Sequence, residues 1–302
     1  MTVGESRFGV NVGWMHGGGR HPVEAARWAE EAGFDIVTAA DHVGRTGPLV
    51  ALAAAAAVTT RVRLRTYVLD HGFWNPGLLA RDVATLDAIS GGRVELGLGL
   101  GYMPGEHAAV GLPFPPYTER LDGLAAFVGE LRRHLADPGL DPAPVQRPVP
   151  VLMAAMSPRG LSVAARCADV VALSGATQAP GRPAGTLLLG TSAQTDERAA
   201  RVQAERREHG LSPAPLDVLL QEVVVDGDPR EAARRGAAGS EGLVDAAYLL
   251  DSPFVLYAAS PGAAADELER RGERWGVTSW CTHPASGPAL AEVIRHVRGP
   301  RR

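Results

Sequence analysis

The chain has 302 residues, 45% of them hydrophobic and 21% charged, with a formal net charge of −4 and two cysteines. That balance describes a globular protein large enough for one α/β barrel or two smaller domains, and it gives no reason to expect a nucleic-acid partner. All 30 basic residues are arginine, which excludes chemistry that needs a lysine amine: Schiff-base catalysis, pyridoxal enzymes and a P-loop.

Cys167 and Cys281 fit a reducing compartment and have neither disulfide nor metal-site spacing. No apolar run reaches the length of a membrane span, and the first residues lack a signal-peptide pattern. A soluble, cytoplasmic protein with no membrane partner is the expectation.

In chain order, residues 7–13 alternate like a strand and lead into a glycine-rich loop, 14–20. Residues 21–34 read as a helix opened by Pro22 and closed by Gly33, and 35–40 as a second strand finishing on Asp41-His42. A helix over 48–60 precedes a third strand, 62–69, that ends on Asp70-His71. Pro76 starts the next helix, which carries Leu79, Val83 and Leu86 at helical spacing until Ser90-Gly91-Gly92 stops it. Strand 93–100 then runs out in Gly97, Gly99 and Gly101, a backbone bare enough for something large and flat to press on it. It is no dinucleotide fingerprint, because Tyr102-Met103-Pro104 follows in place of the third glycine and the proline is read as barring a helix.

Residues 117–135 form a long amphipathic helix, and the proline-rich segment 137–150 is a surface connection. The rhythm then repeats: strand 149–154, a helix from Ser157 to near Cys167, strand 169–173, and a Pro/Gly-rich loop over 176–185. Residues 187–190 read as a short strand or as more of that loop. A charged helix over 195–209, strand 216–226, weaker helices within 229–247 and 261–275, strand 279–282 and helix 289–297 complete the chain. About eight alternations with no separating linker predict one (β/α)8 barrel over residues 1–302.

A barrel of this kind carries its active site at the C-terminal ends of its strands. The residues predicted there include Trp14, His16, Asp41, His42, Asp70, His71, Trp74, Tyr102, His107 and His283. The histidines suit proton donors, metal ligands or plain loop residues, but the paired spacing of a metal hydrolase is missing, so no metal is expected. The Met156-Ser157-Pro158-Arg159-Gly160 turn combines a helix N-terminus with an arginine and suits a phosphate; it also reads as a serine cap with proline behind it.

Three segments carry a family resemblance: ARWAEEAGFDIVTAADH, RVRLRTYVLDHGFWNPGLLARDVATLDAISGGRVELGLGLG and PVLMAAMSPRGLSVAARCADVVALSG. With GLPFPPYTERLDGL they cover most of the first 175 residues, and they resemble the luciferase-like monooxygenase superfamily, within it the coenzyme F420-dependent oxidoreductases. The resemblance implies a flavin-like ring at the strand C-termini and a homodimer. It implies a bulge with a non-proline cis peptide on the third strand, placing Thr66, Tyr67 and Val68 against the ring. By the same analogy Asp41 contacts the deazaflavin, while Ser157 to Gly160, with Ser174 and Gly175, hold its phosphate.

Where the sugar-phosphate dehydrogenases of the family have a tryptophan after the Asp-His pair and a glutamate after the strand-four glycines, this chain has Val43-Gly44-Arg45 and Tyr102. That difference argues against a sugar-phosphate substrate.

The expected activity is therefore hydride transfer from reduced F420 to an activated C=C or C=N bond of a small molecule. His42 or Tyr102 would supply the proton, and Trp14, His16, His71 and Trp74 would surround the substrate. An FMN-dependent two-component monooxygenase on the same fold is the alternative, and a non-catalytic flavin-binding relative is a third reading.

Overall fold

The computed structural model describes residues 3–13, 21–173, 175–182, 186–240 and 242–299. Eight parallel strand positions close on themselves. They are β1 Arg7–Asn11, β2 Ile36–Ala39, β3 Arg63–Thr66, β4 Val94–Gly99, β5 Val151–Ala155, β6 Val170–Leu173, β7 Leu216–Leu220 and β8 Val277–Thr282. The ring closes where Arg7 to Val10 of β1 pair with Ser279 to Thr282 of β8. This is the (β/α)8 barrel of the sequence reading, with helices outside and the cavity at the strand C-termini.

The helices are α1 Pro22–Ala32, α2 Pro48–Ala56, α3 Pro76–Ser90, α4 Pro104–Ala109, α5 Tyr117–Leu135, α6 Pro158–Cys167, α7 Ser192–Glu208, α8 Pro229–Ala238, α9 Ala246–Asp251, α10 Pro261–Trp275 and α11 Gly287–Arg298. Local chemistry sets many of their ends. Proline occupies the first turn of α3 and of α6, where its missing N–H costs nothing. The Asn75 side chain caps α3 by accepting from Gly77 and Leu78, and Gly91 ends it in the left-handed region at φ 69°.

Several expectations need correction. A helix does follow the strand-four glycines: Pro104 starts α4, because proline is tolerated at a first turn and bars only the interior. Helix α7 begins three residues before the predicted start, since Thr191 and Gln194 form a reciprocal capping box. The predicted strand 216–226 is broken, its second part, Glu222–Val224, pairing with Val255–Tyr257 outside the barrel. The loop after β6 contains a hairpin, Ala176–Gln178 against Leu187–Leu189.

Strand β3 is itself interrupted. The Tyr67–Val68 peptide is cis, and pairing with β4 resumes at Leu69–Asp70, opposite Leu98 and Gly99. The space this bulge needs is what the strand-four glycines provide. A Cβ on Gly97 would stand 2.1 Å from the Thr66 carbonyl oxygen, one on Gly99 2.7 Å from Val68 Cγ2, and one on Gly101 1.7 Å from Asp70 Oδ2. The bare backbone therefore makes room for the neighbouring strand, while Gly99 and Gly101 also line the cavity.

Below the bulge the barrel interior is charged. Arg65, fully buried, donates from Nε and NH2 to Glu95 Oε2 at 2.8 and 2.5 Å, and from NH1 to Asp217 Oδ2 at 2.5 Å. Burial alone would raise the Glu95 carboxyl, but Arg65, Arg7 and Arg63 outweigh it and hold the group at about 2. Ser279 donates to the same Asp217 oxygen, and Tyr67 donates from its hydroxyl to Asp217 Oδ1 at 2.6 Å. A buried ionic set of this size persists only when every member is paired, and here it pins the ring of Tyr67 from underneath.

Candidate active site

Above the bulge lies a chiefly apolar cavity of about 620 Å³. Of the predicted site residues, Asp41, His42, Tyr67, Val68, Gly99, Gly101, Tyr102, Met156, Ser157 and Gly160 line it. Trp14, His16 and Ser174 lie outside the described residues.

The remaining predicted residues lie beside the cavity or behind its wall. Thr66 locks β3 to β4 by exchanging hydrogen bonds with Gly97 through its hydroxyl, both at 2.8 Å. His71 sits behind the wall, its Nδ1 3.2 Å from the Gly99 carbonyl and its ring edge-on to Phe127. Burial lowers its pKa. Trp74 donates from Nε1 to Asp41 Oδ2 at 2.8 Å, so it acts on Asp41. Pro158 and Gly175 are not in the cavity wall; Gly175 adopts φ 78° against Phe254. Arg159, on the outer side of α6, pairs with Asp122 at 2.6 Å and also misses the wall.

The polar groups converge on one edge. His42 Nδ1 lies 2.9 Å from Glu106 Oε1, and Glu106 Oε2 accepts from the Val43 N–H at 3.4 Å. The Tyr102 ring meets His42 edge-on at 6.0 Å. Partial burial and the Glu106 carboxylate both push the Tyr102 hydroxyl upward, keeping it a proton-bearing donor. Burial also raises Asp41, against the pull of its bond from Trp74. Such an edge can pass a proton to or from a bound molecule.

Glu106 escaped the sequence reading because α4, which carries it, was not expected. It places a carboxylate beside the Asp41-His42 pair.

Asp70 and His107 turn out to be supporting residues. Asp70 accepts from the Gly72 N–H at 3.0 Å and faces His107 Nε2 at 2.8 Å, while His107 Nδ1 donates to the Pro113 carbonyl at 2.7 Å. At the α6 end of the cavity Ser157 Oγ accepts from the Gly160 N–H at 3.0 Å and bonds the Tyr117 hydroxyl. Opposite, His283 Nε2 meets Gln221 Oε1 at 3.1 Å, and burial lowers the histidine's pKa. Among the described residues no three or more His, Cys, Asp or Glu side chains come together to hold a metal.

The family model of the luciferase-like monooxygenases matches residues 1–287. The chain belongs to that family. This luciferase-like protein is 34% identical over 175 residues to an F420-dependent glucose-6-phosphate dehydrogenase of Amycolatopsis mediterranei, covering 50% of this chain and 52% of the relative. The match thus spans about half the relative's length. An F420-dependent secondary alcohol dehydrogenase in complex with an F420-acetone adduct superposes with a TM-score of 0.75 at 19% identity, over 97% of this chain and 99% of that one. The monooxygenase RslO1 from Streptomyces bottropensis gives 0.71 at 23% identity, over 96% and 99%. At such identities the two structures establish the shared fold alone.

Proposed function

We propose that this protein is an F420-dependent oxidoreductase, working as a reductase on an activated C=C or C=N bond of a small molecule. The carrying observation is the His42–Glu106 pair, which opens on a largely apolar cavity floored by Tyr67 and Val68. The relative named for F420 supports this choice of cofactor over FMN.

The residues present fit such a group. Tyr67 and Val68 would offer a surface for one face of a tricyclic ring, Asp41 would hold its polar edge, and Ser157 with Gly160 at the α6 N-terminus would suit its phosphate. When bound, the reduced deazaflavin supplies a hydride from ring carbon C5.

The protein's own part is positional and protic. Glu106 holds the His42 ring through Nδ1 and so orients the imidazole that would exchange a proton with the substrate. Trp74 holds Asp41 in one orientation. A second reading, dehydrogenation of an alcohol, is favoured by the same pair, because a carboxylate-backed imidazole also accepts a hydroxyl proton. The homodimer implied by the resemblance belongs to this proposal and is checked by light scattering.

The test is equilibrium binding of F420 and FMN, followed by turnover. Micromolar F420 binding, then oxidation of reduced F420 by enones or imines, supports the reductase. Reduction of F420 by alcohols alone selects the second reading, and preference for FMN transfers the site to a two-component monooxygenase. Binding of neither removes the cofactor assignment.

A further inference from the structure

Arg120, on the first turn of α5, lines the cavity and is the only arginine to do so among the described residues. Its Nε and NH1 are shut off from solvent and have no hydrogen-bond partner. Phe114 covers one face of the guanidinium, with Arg120 Cζ 3.7 Å from the ring centroid. Arg120 lies within electrostatic reach of Asp70, yet the Asp70 oxygens are engaged by Gly72 and His107. Burial pulls its pKa down, so the surroundings oppose a charge left unneutralised.

Other interior arginines show how this fold satisfies a guanidinium. Arg65 takes two carboxylates, Arg93 the carbonyls of Ser90, Val62, Ala56 and Thr59, and Arg271 those of Pro253 and Val255 with Glu267. Arg198 also has an unpartnered nitrogen, but it lines a separate cleft against α7.

A guanidinium with two donors that meet neither water nor acceptor is costly to keep, and an entering anion that engaged it would repay that cost. The neighbourhood agrees. One turn before Arg120, Tyr117 reaches Ser157 at the N-terminus of α6, so a guanidinium, two hydroxyls and a helix N-terminus share one corner. The other charged side chains of the wall, Asp41, Asp70 and Glu106, are acidic and lie toward the His42 edge or under the glycine turn.

We propose that Arg120 is the receptor for an anionic group, a phosphate ester or a carboxylate, that enters the cavity at the α5–α6 corner. The group is carried either by the cofactor, as its phosphodiester, or by the substrate. Only the first source rests on the F420 reading.

The experiment titrates the full chain and its Arg120→Gln and Arg120→Lys variants with three probes. These are F420, the phosphate-free ribityl deazaflavin fragment of F420, and inorganic phosphate, added to free and to F420-loaded protein. A loss of about tenfold or more for F420 in Arg120→Gln, with the fragment unchanged and partial recovery in Arg120→Lys, assigns the cofactor phosphate. Unchanged F420 with phosphate binding lost from the loaded protein assigns a substrate anion.

Equal affinity of wild type and Arg120→Gln for all three probes overturns the proposal, as does an equal loss for F420 and the fragment. If wild type binds no F420 the cofactor reading fails, and the phosphate titration of free protein still decides Arg120. Thermal denaturation without ligand guards against a structural role. An Arg120→Met chain should melt no lower than wild type, and a clear drop would refute the receptor.

Discussion

Gly97→Ala separates two explanations of the glycine-rich strand. If these glycines make room for β3, the added methyl must damage the ligand-free protein. The new Cβ would stand 2.1 Å from the Thr66 carbonyl oxygen and 3.1 Å from Val68 Cγ1. The oxygen belongs to a backbone held by two 2.8 Å bonds between Thr66 Oγ1 and Gly97. Relieving the clash moves β3 by about 1 Å, which loosens both bonds at roughly 1 kcal/mol each and adds about 1–3 kcal/mol of overpacking.

The expected loss is therefore about 3–5 kcal/mol. With an unfolding entropy of about 2 cal/mol/K per residue, that lowers the melting temperature of this chain by roughly 5–8 °C. Scanning calorimetry without ligand reads it. Gly105→Ala is the control, since nothing lies within 4 Å of its Cβ and it sits in α4, where alanine is the better helix former. A Gly97→Ala protein that melts with wild type while losing only ligand affinity would refute the reasoning and restore the glycines to the ligand.

Three further outcomes are expected. A double-mutant cycle over His42→Ala and Glu106→Gln, read as kcat/KM with the substrate found by the turnover screen, should give a coupling of about 1–2 kcal/mol; additive losses would show that the 2.9 Å contact does no catalytic work. Glu95, held at about 2 against an ordinary 4.5, contributes about 3 kcal/mol that is fully present above pH 4.5 and is lost as pH falls toward 2. Urea titrations across that window should show the loss, and Glu95→Gln should flatten it. Trp74→Phe removes the bond that lowers Asp41, so the Asp41 carboxyl, followed by carbon NMR, should titrate at higher pH than in wild type; a downward move would contradict the assigned contact.

The barrel was legible because its signals are local. Helices α5 and α10 run between the predicted residues, and Pro22, Pro48 and Pro76 each mark a first turn. The Asp41-His42 pair and the Ser157 turn were named from the sequence and the bulge at Tyr67–Val68 through the family resemblance, and all reach the cavity.

Residues whose partners are remote in sequence were not legible. Glu106 is separated from His42 by 64 positions, and no periodicity announces a contact that only barrel closure creates. Arg120 was not singled out within its amphipathic helix, since the missing partner is visible only in three dimensions. The glycines were seen, but a bare backbone in sequence does not reveal that the interrupted strand β3 also closes on it.

The seam between β1 and β8 has a consequence for synthesis. β1 pairs with β2 and with residues 279–282, and Arg298 then clasps Asp35 and the Ser6 and Gly33 carbonyls. A nascent chain emerging from the ribosome thus carries one edge of β1 unsatisfied until residues 279–282 have been translated. Until then the exposed edge is a template for a neighbouring chain. The last strand and the arginine latch behind it are what turn an aggregation-prone half-barrel into a closed protein.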